Sequence, residues 1–165
     1  MSHLFRALAE SRALRLLQPP IVTVALLTLS LAHASPAAAC TCAPPGPPGQ
    51  ELERADVVFT GEVESIEPAP APGDDPTWPS RLRVTLRLLG VWKGIPEGDT
   101  VTVFTASQSA ACGVSFEEGK KFLVYAYAGG SDRRELTATV CSRTAQLKHA
   151  KEDLQALGAP AREPG

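Results

Sequence analysis

From residue 81 to residue 92 apolar and polar side chains alternate, with Leu82, Val84, Leu86 and Leu88 set against Arg81, Arg83, Thr85 and Arg87. Successive side chains of a strand point to opposite faces, so this stretch predicts a half-buried β-strand with an arginine row outside. A looser alternation over residues 57–66 puts Val57, Phe59, Gly61 and Val63 on one side and Thr60, Glu62 and Glu64 on the other. Shorter runs predict strands at 100–105, 120–127 and 135–140, separated by turn residues such as Lys93-Gly94, Glu117-Glu118-Gly119 and Gly129-Gly130-Ser131-Asp132. After residue 141 the period changes. Leu147, Ala150, Leu154 and Leu157 recur at spacings of three and four, which predicts one amphipathic helix stopped by Gly158 and Pro160.

Two stretches have no period. Residues 43–49 hold four prolines and two glycines and predict an extended arm, followed by a short helical turn at 50–54. Residues 67–79, rich in Pro, Ala, Gly and Asp, predict a solvated loop. Five strands and a terminal helix need a solution for their sheet edges, and closure supplies one. The expected fold class is therefore all-β with a terminal helix, as a five-stranded Greek-key barrel of OB type. A small open sandwich is the competing architecture.

Residues 1–39 read as a secretory signal rather than as fold. Arg6, Arg12 and Arg15 precede an apolar run from Ile21 to Ala32, and small residues lead to Ala37-Ala38-Ala39 ahead of Cys40. The apolar run is shorter than the roughly 20 residues a membrane helix needs, so export is expected and a membrane span is not. Cleavage after Ala39 would make Cys40 the first residue of the mature chain. Two other outcomes are a cut after Ala34 and lipoprotein processing that acylates Cys40. The expected organisation is a signal peptide at 1–39, one domain at 40–158 and a loose tail at 159–165. The destination is secreted, extracellular or periplasmic, with a lipid-anchored envelope protein as the alternative.

Removing Arg6, Arg12, Arg15 and Glu10 from the chain's sixteen basic and eighteen acidic residues leaves residues 40–165 at a formal charge of −4. Phosphate backbones reward clustered positive charge, so nucleic acid is not an expected partner. The outward Arg81, Arg83 and Arg87 row could face a polyanion such as a heparan-like sugar or lipid headgroups, although a solvated strand face is the simpler reading. No Gly-rich phosphate loop, H-E-x-x-H or EF-hand loop occurs, which argues against an enzyme and implies no cofactor. His149 lies among charges in the terminal helix and reads as a surface residue. Trp92 reads as a core or cross-strand aromatic.

All four cysteines, Cys40, Cys42, Cys112 and Cys141, follow the leader, and an even number in an oxidising compartment predicts two disulfides. Three connectivities exist. The Cys40 to Cys42 pair is disfavoured because residues i and i+2 of an extended chain would have to close a strained loop. Both N-terminal cysteines are thus expected to tie to the body, which turns a terminus that would fray into a rigid edge. A redox-active C-x-C is a weaker reading, since Pro44-Pro45 suits a static arm.

The cysteine framework resembles the netrin-like family, specifically the inhibitory domain of the tissue inhibitors of metalloproteinases. The similar elements are Cys40-Thr41-Cys42-Ala43-Pro44-Pro45 after a signal sequence, Val91-Trp92-Lys93-Gly94 at a strand end, Cys112-Gly113, and Thr139-Val140-Cys141-Ser142 after the fifth strand. The resemblance implies Cys40 to Cys112 and Cys42 to Cys141 bridges on an OB-like barrel. It further implies that the α-amine and carbonyl oxygen of Cys40 chelate the catalytic zinc of a target protease, with Thr41 in the specificity pocket. Cys42, Ala43, Ala110 and Ala111 would touch the protease. Two departures stand out: the family's third disulfide is absent, and Ala110-Ala111 replaces a hydroxyl and a branched side chain. A netrin-like module that binds an extracellular protein or glycan without inhibiting anything is the alternative function.

Overall fold

The computed structural model describes residues 40–71, 73–75, 79–94, 98–129 and 135–164. The expected signal sequence lies outside the described residues. A seven-residue helix α1 (Pro48–Arg54) is followed by strands β1 (Val57–Pro68), β2 (Arg81–Lys93), β3 (Thr100–Ala106), β4 (Lys121–Gly129) and β5 (Glu135–Thr137). A two-residue strand β6 (Ala145–Gln146) and a second helix α2 (Lys151–Leu157) complete the chain.

The first five strands form a ring in the order β1, β2, β3, β5, β4, closed by pairing of β4 with β1. All contacts in the ring are antiparallel except the parallel one between β3 and β5, where Phe104 pairs with Thr137. This is the closed five-stranded barrel that the turn spacing predicted, and the competing open sandwich is absent among the described residues. β1 closes it because it is long enough to pair β2 along Val58 to Pro68 and β4 along Val57 to Glu62. Three register shifts between β1 and β2, at Val58/Phe59, Thr60/Gly61 and Val63/Ser65, supply the coiling a closed ring needs.

Two apolar clusters lie on opposite sides of the β1 and β4 wall. Inside the barrel sit Phe59, Val63, Val84, Leu86, Leu88, Val103, Phe122 and Val124, all at most 2% exposed. On the outer side Val58, Leu123 and Tyr125 are fully buried beneath Ala55, Leu52 and Leu154 of the helical segments, with Trp92 packed alongside. The β1 and β4 wall is thus buried on both faces, which a reading limited to one inward side did not anticipate. Trp92 is half-buried, and its indole N–H donates to the Gly158 carbonyl at 2.9 Å.

Two expected elements are shorter or broken. Regular pairing in β5 stops at Thr137, after which Ala138 still donates to Phe104 and the chain turns so that the Val140 N–H meets the Cys112 carbonyl at 3.0 Å. The single helix expected over 147–157 is a 3₁₀ turn at Leu147–His149 followed by α2. Residues i and i+3 eclipse in the tighter turn, so Leu147 and Ala150 reach the same sheet while Lys148 and His149 face solvent. The segment from residue 159, expected as a loose tail, folds back: Val91 donates to Arg162 at 2.8 Å and accepts from Ala161 at 2.8 Å.

Candidate functional site: a disulfide-pinned N-terminal ridge

Residues 40–47 form an extended segment with no regular structure of its own. Two bridges hold it, from Cys40 to Cys112 with Cα atoms 5.3 Å apart and from Cys42 to Cys141 with Cα atoms 5.2 Å apart. The pairing is the one the family resemblance implied. The Sγ atoms of Cys40 and Cys42 lie 4.0 Å apart, and all four sulfurs fall within 4.8 Å of one another. Such a set could ligate a metal as thiolates, but here every sulfur is spent in a disulfide, which leaves no thiolate to donate.

The two partners of the arm come from different barrel connections. Cys112 follows a 3₁₀ turn at Ser109–Ala111 and adopts φ 62°, a left-handed conformation rare for a residue with a side chain. Bonds on both sides hold it there: its N–H donates to Ser109 and its carbonyl accepts from Val140. Gly113 must be glycine, because a Cβ would collide with the Ala106 carbonyl and sit 3.0 Å from the Gln108 carbonyl. Beyond it, the Val114 N–H donates to the buried Thr105 hydroxyl at 2.8 Å, and Phe116 stacks at a tilt on Phe122, 4.7 Å between centroids. The loop is therefore anchored in the core just past the cysteine.

These anchors bring Cys40, Thr41, Cys42, Ala43, Ala110 and Ala111 to one exposed edge. Thr41, Ala43, Ala110 and Ala111 are exposed, and Cys40 and Cys42 are half-buried behind their bridges. Among the described residues no hydrogen bond engages the backbone of Cys40 to Pro45. The structure adds Val140 to this edge. Among the described residues it is the exposed large hydrophobic, at 45%, and it stands next to Cys141 with its N–H on the Cys112 carbonyl. Its place at the end of a regular apolar run made it look like a strand residue.

Behind the ridge lies a polar network that the sequence reading missed. Glu51, 4% exposed, accepts the Gly46 N–H at 3.0 Å and the Tyr127 hydroxyl at 3.0 Å, and pairs with Arg54 at 3.2 Å. Burial pushes the Glu51 carboxyl up, but the hydrogen bonds from Gly46, Tyr127 and Arg54 outweigh it and hold its pKa below the ordinary 4.5. Arg143 forks onto Asp153, at 2.6 and 2.9 Å, and donates to the Gly46 carbonyl at 3.1 Å. Asp153 also accepts the Tyr125 hydroxyl at 2.9 Å. Burial, then the bond to Glu51, lifts the Tyr127 phenol to about 12, and burial with the Asp153 bond lifts Tyr125 further. One sequence signal did exist: Asp153 falls on the apolar stripe of the terminal helix, three residues after Ala150.

The arginine row is occupied within the fold. Arg81 pairs with Glu135 at 2.7 Å, Arg83 with Glu67 at 3.8 Å, and Arg87 with Glu62 at 2.8 Å and Glu64 at 3.7 Å. Arg81 and Arg83 also lie over the Phe104 ring. A polyanion would have to displace these carboxylates. No helix among the described residues is long and apolar enough to cross a membrane.

No protein-family model matches the sequence. Among curated proteins the chain is 32% identical over 132 residues to Metalloproteinase inhibitor 2 of Homo sapiens, a match covering 78% of this chain and 56% of that protein. It is 31% identical over 132 residues to the Rattus norvegicus protein of that name, with the same coverage. To the Canis lupus familiaris protein it is 32% identical over 105 residues, covering 62% of this chain and 47% of that one. The chain spans about half the length of the curated relatives it matches.

Proposed function

Because the chain contains a domain of the netrin-like, tissue-inhibitor-of-metalloproteinases family, we propose that it is a secreted protein that inhibits zinc metalloendopeptidases through its N-terminal ridge. It is a binding protein rather than an enzyme. After removal of the leader at Ala39, Cys40 would present an α-amine beside its own carbonyl oxygen, two donors that close a five-membered ring on a metal ion. A catalytic zinc keeps one position open for water or substrate, and filling it with these donors removes the nucleophile. An α-amino group with a pKa near 7.7 to 8.0 gives up its proton at little cost near neutral pH.

The observation that carries this reading is the double pinning of Cys40 and Cys42 on an edge where, among the described residues, no hydrogen bond engages the backbone of residues 40–45. With the Cys40 sulfur committed to Cys112, only its amine and carbonyl remain to coordinate. Thr41, exposed between two anchors and stiff at χ1, loses little entropy on entering a pocket and is assigned to the specificity site. Ala43, Ala110 and Ala111 would contact the rim of the protease cleft. Their small side chains allow close approach and add little apolar area of their own.

The test uses the exported protein. Intact mass should place its first residue at Cys40 with a free amine. Titration against purified zinc endopeptidase catalytic domains of the thermolysin and metzincin classes should then show stoichiometric inhibition of at least one. One alanine added ahead of Cys40 should abolish inhibition and leave the melting temperature unchanged. Inhibition that survives the added alanine would rule out the chelate. An acylated or longer terminus would favour the non-inhibitory binding module.

A further inference from the structure

We infer that Gly46 is a two-sided latch for the ridge, which makes Glu51 and Arg143 positioning residues for Cys40 and Thr41; the inference rests on the inhibitory reading above. Both backbone polar groups of Gly46 are bound by charged side chains: its N–H by the Glu51 carboxylate at 3.0 Å and its carbonyl by Arg143 at 3.1 Å. The next two residues, Pro47 and Pro48, have no N–H, so a glutamate reaching back from the first turns of α1 finds its donor at Gly46.

Each latch arm ends on β4. Glu51 is held by the Tyr127 hydroxyl, and Arg143 is held by Asp153, which in turn takes the Tyr125 hydroxyl. Tyr125 and Tyr127 are the chain's two tyrosines and stand two residues apart on the helix-covered face of the strand. The Glu51, Asp153 and Arg143 side chains are only 5%, 8% and 17% exposed, so these bonds are shielded from water and fixed in direction.

The consequence for the ridge follows from chain geometry. Ala43, Pro44 and Pro45 separate the Cys42 bridge from Gly46, and two of the three have a fixed φ. With Cys42 held by sulfur and Gly46 by the latch, the intervening chain is clamped at both ends. With Gly46 released, the arm keeps its two bridges but can pivot about them, and Cys40 and Thr41 lose their aim. A pivoting donor pair must be ordered at the moment of binding, which costs affinity.

Arg143→Lys isolates the latch from the fold. A lysine keeps the charge beside Asp153 and so keeps α2 paired, but its single ammonium cannot fork onto Asp153 and also reach Gly46. The expected result in Arg143→Lys is a melting temperature close to the parent, amide exchange at Gly46 faster by about tenfold, and a dissociation constant for an inhibited zinc endopeptidase weaker by about tenfold. Glu51→Gln, which keeps the shape and drops the charge, should move the same readouts the same way. A purely structural role for Arg143 would be satisfied by lysine. Unchanged exchange at Gly46 would overturn the latch, and faster exchange with unchanged affinity would overturn the positioning role. If the parent inhibits no protease while exchange still rises in Arg143→Lys, the inhibitory reading has failed and takes the positioning role with it.

Discussion

Gly113 and Cys112 show how much of the ridge rests on two adjacent backbone positions. The left-handed turn at Cys112 directs its sulfur to Cys40, and the missing side chain at Gly113 lets the chain pass under the Ala106 carbonyl. Gly113→Ala should therefore destabilise by about 2 to 3 kcal/mol, since neither carbonyl is at a flexible end that can swing away. A thermal melt should register a fall of roughly 10 °C. The pair Cys112-Gly113 was visible as a motif, whereas its reason, a left-handed residue followed by a close approach, belongs to the tertiary structure.

The helices and β4 share the polar network, and its charge states set how the arm's root responds to pH. The depressed Glu51 pKa means that its contribution to stability is fully present above the unfolded value of 4.5 and is lost as pH falls through the lower folded value. The raised Tyr127 pKa works the other way: its contribution is present below the unfolded value of 10 and is lost as pH rises through about 12. Amide exchange at Gly46 should hence stay slow relative to its intrinsic rate around neutral pH and lose protection only as pH falls through the lowered Glu51 pKa, below the ordinary 4.5. Absorbance titration at 295 nm should show no phenol ionising near pH 10 in the folded protein. Helix periodicity started the helix at Leu147, four residues before α2 begins at Lys151, and ran it as one continuous helix. The break at Ala150 follows from fitting Leu147 and Ala150 onto a curved wall, which one-dimensional spacing does not encode.

For the whole domain, the barrel core and the two bridges act on different parts of the free energy. The inner cluster is contributed mainly by β1 to β4, with Leu136 of β5 packed against it, and buries its apolar surface with no help from sulfur. The bridges close sequence separations of 72 and 99 residues and in the chain-entropy model stabilise by about 4 to 5 kcal/mol each. Reduction should lower the urea midpoint substantially and abolish the proposed inhibition at reductant concentrations where the far-ultraviolet circular dichroism of the strands persists in buffer. Loss of the strand signal on reduction alone would mean that the core cannot sustain the fold unaided. The domain lacks the family's third disulfide, and the root of its arm is held by charge-assisted hydrogen bonds to Glu51 and Arg143.

Alternation, turn residues and cysteine count were enough to predict the strand set and a closed five-stranded barrel, because period-two burial and edge closure are local or counting constraints. The family-like cysteine spacing carried the bridge pairing, and with it the ridge at Cys40 to Ala43 and Ala110 to Cys112. Contacts between residues distant in sequence were not legible. The burial of β1 and β4 on both faces and the exposure of Val140 depend on how the chain packs, and the pairing of each Arg81, Arg83 and Arg87 guanidinium and the grip of Glu51 and Arg143 on Gly46 join residues 5 to 97 apart in the chain. Their geometry arises when the ring closes and the helices settle on its wall, since a charged side chain's partner is whichever group the packed backbone brings within reach.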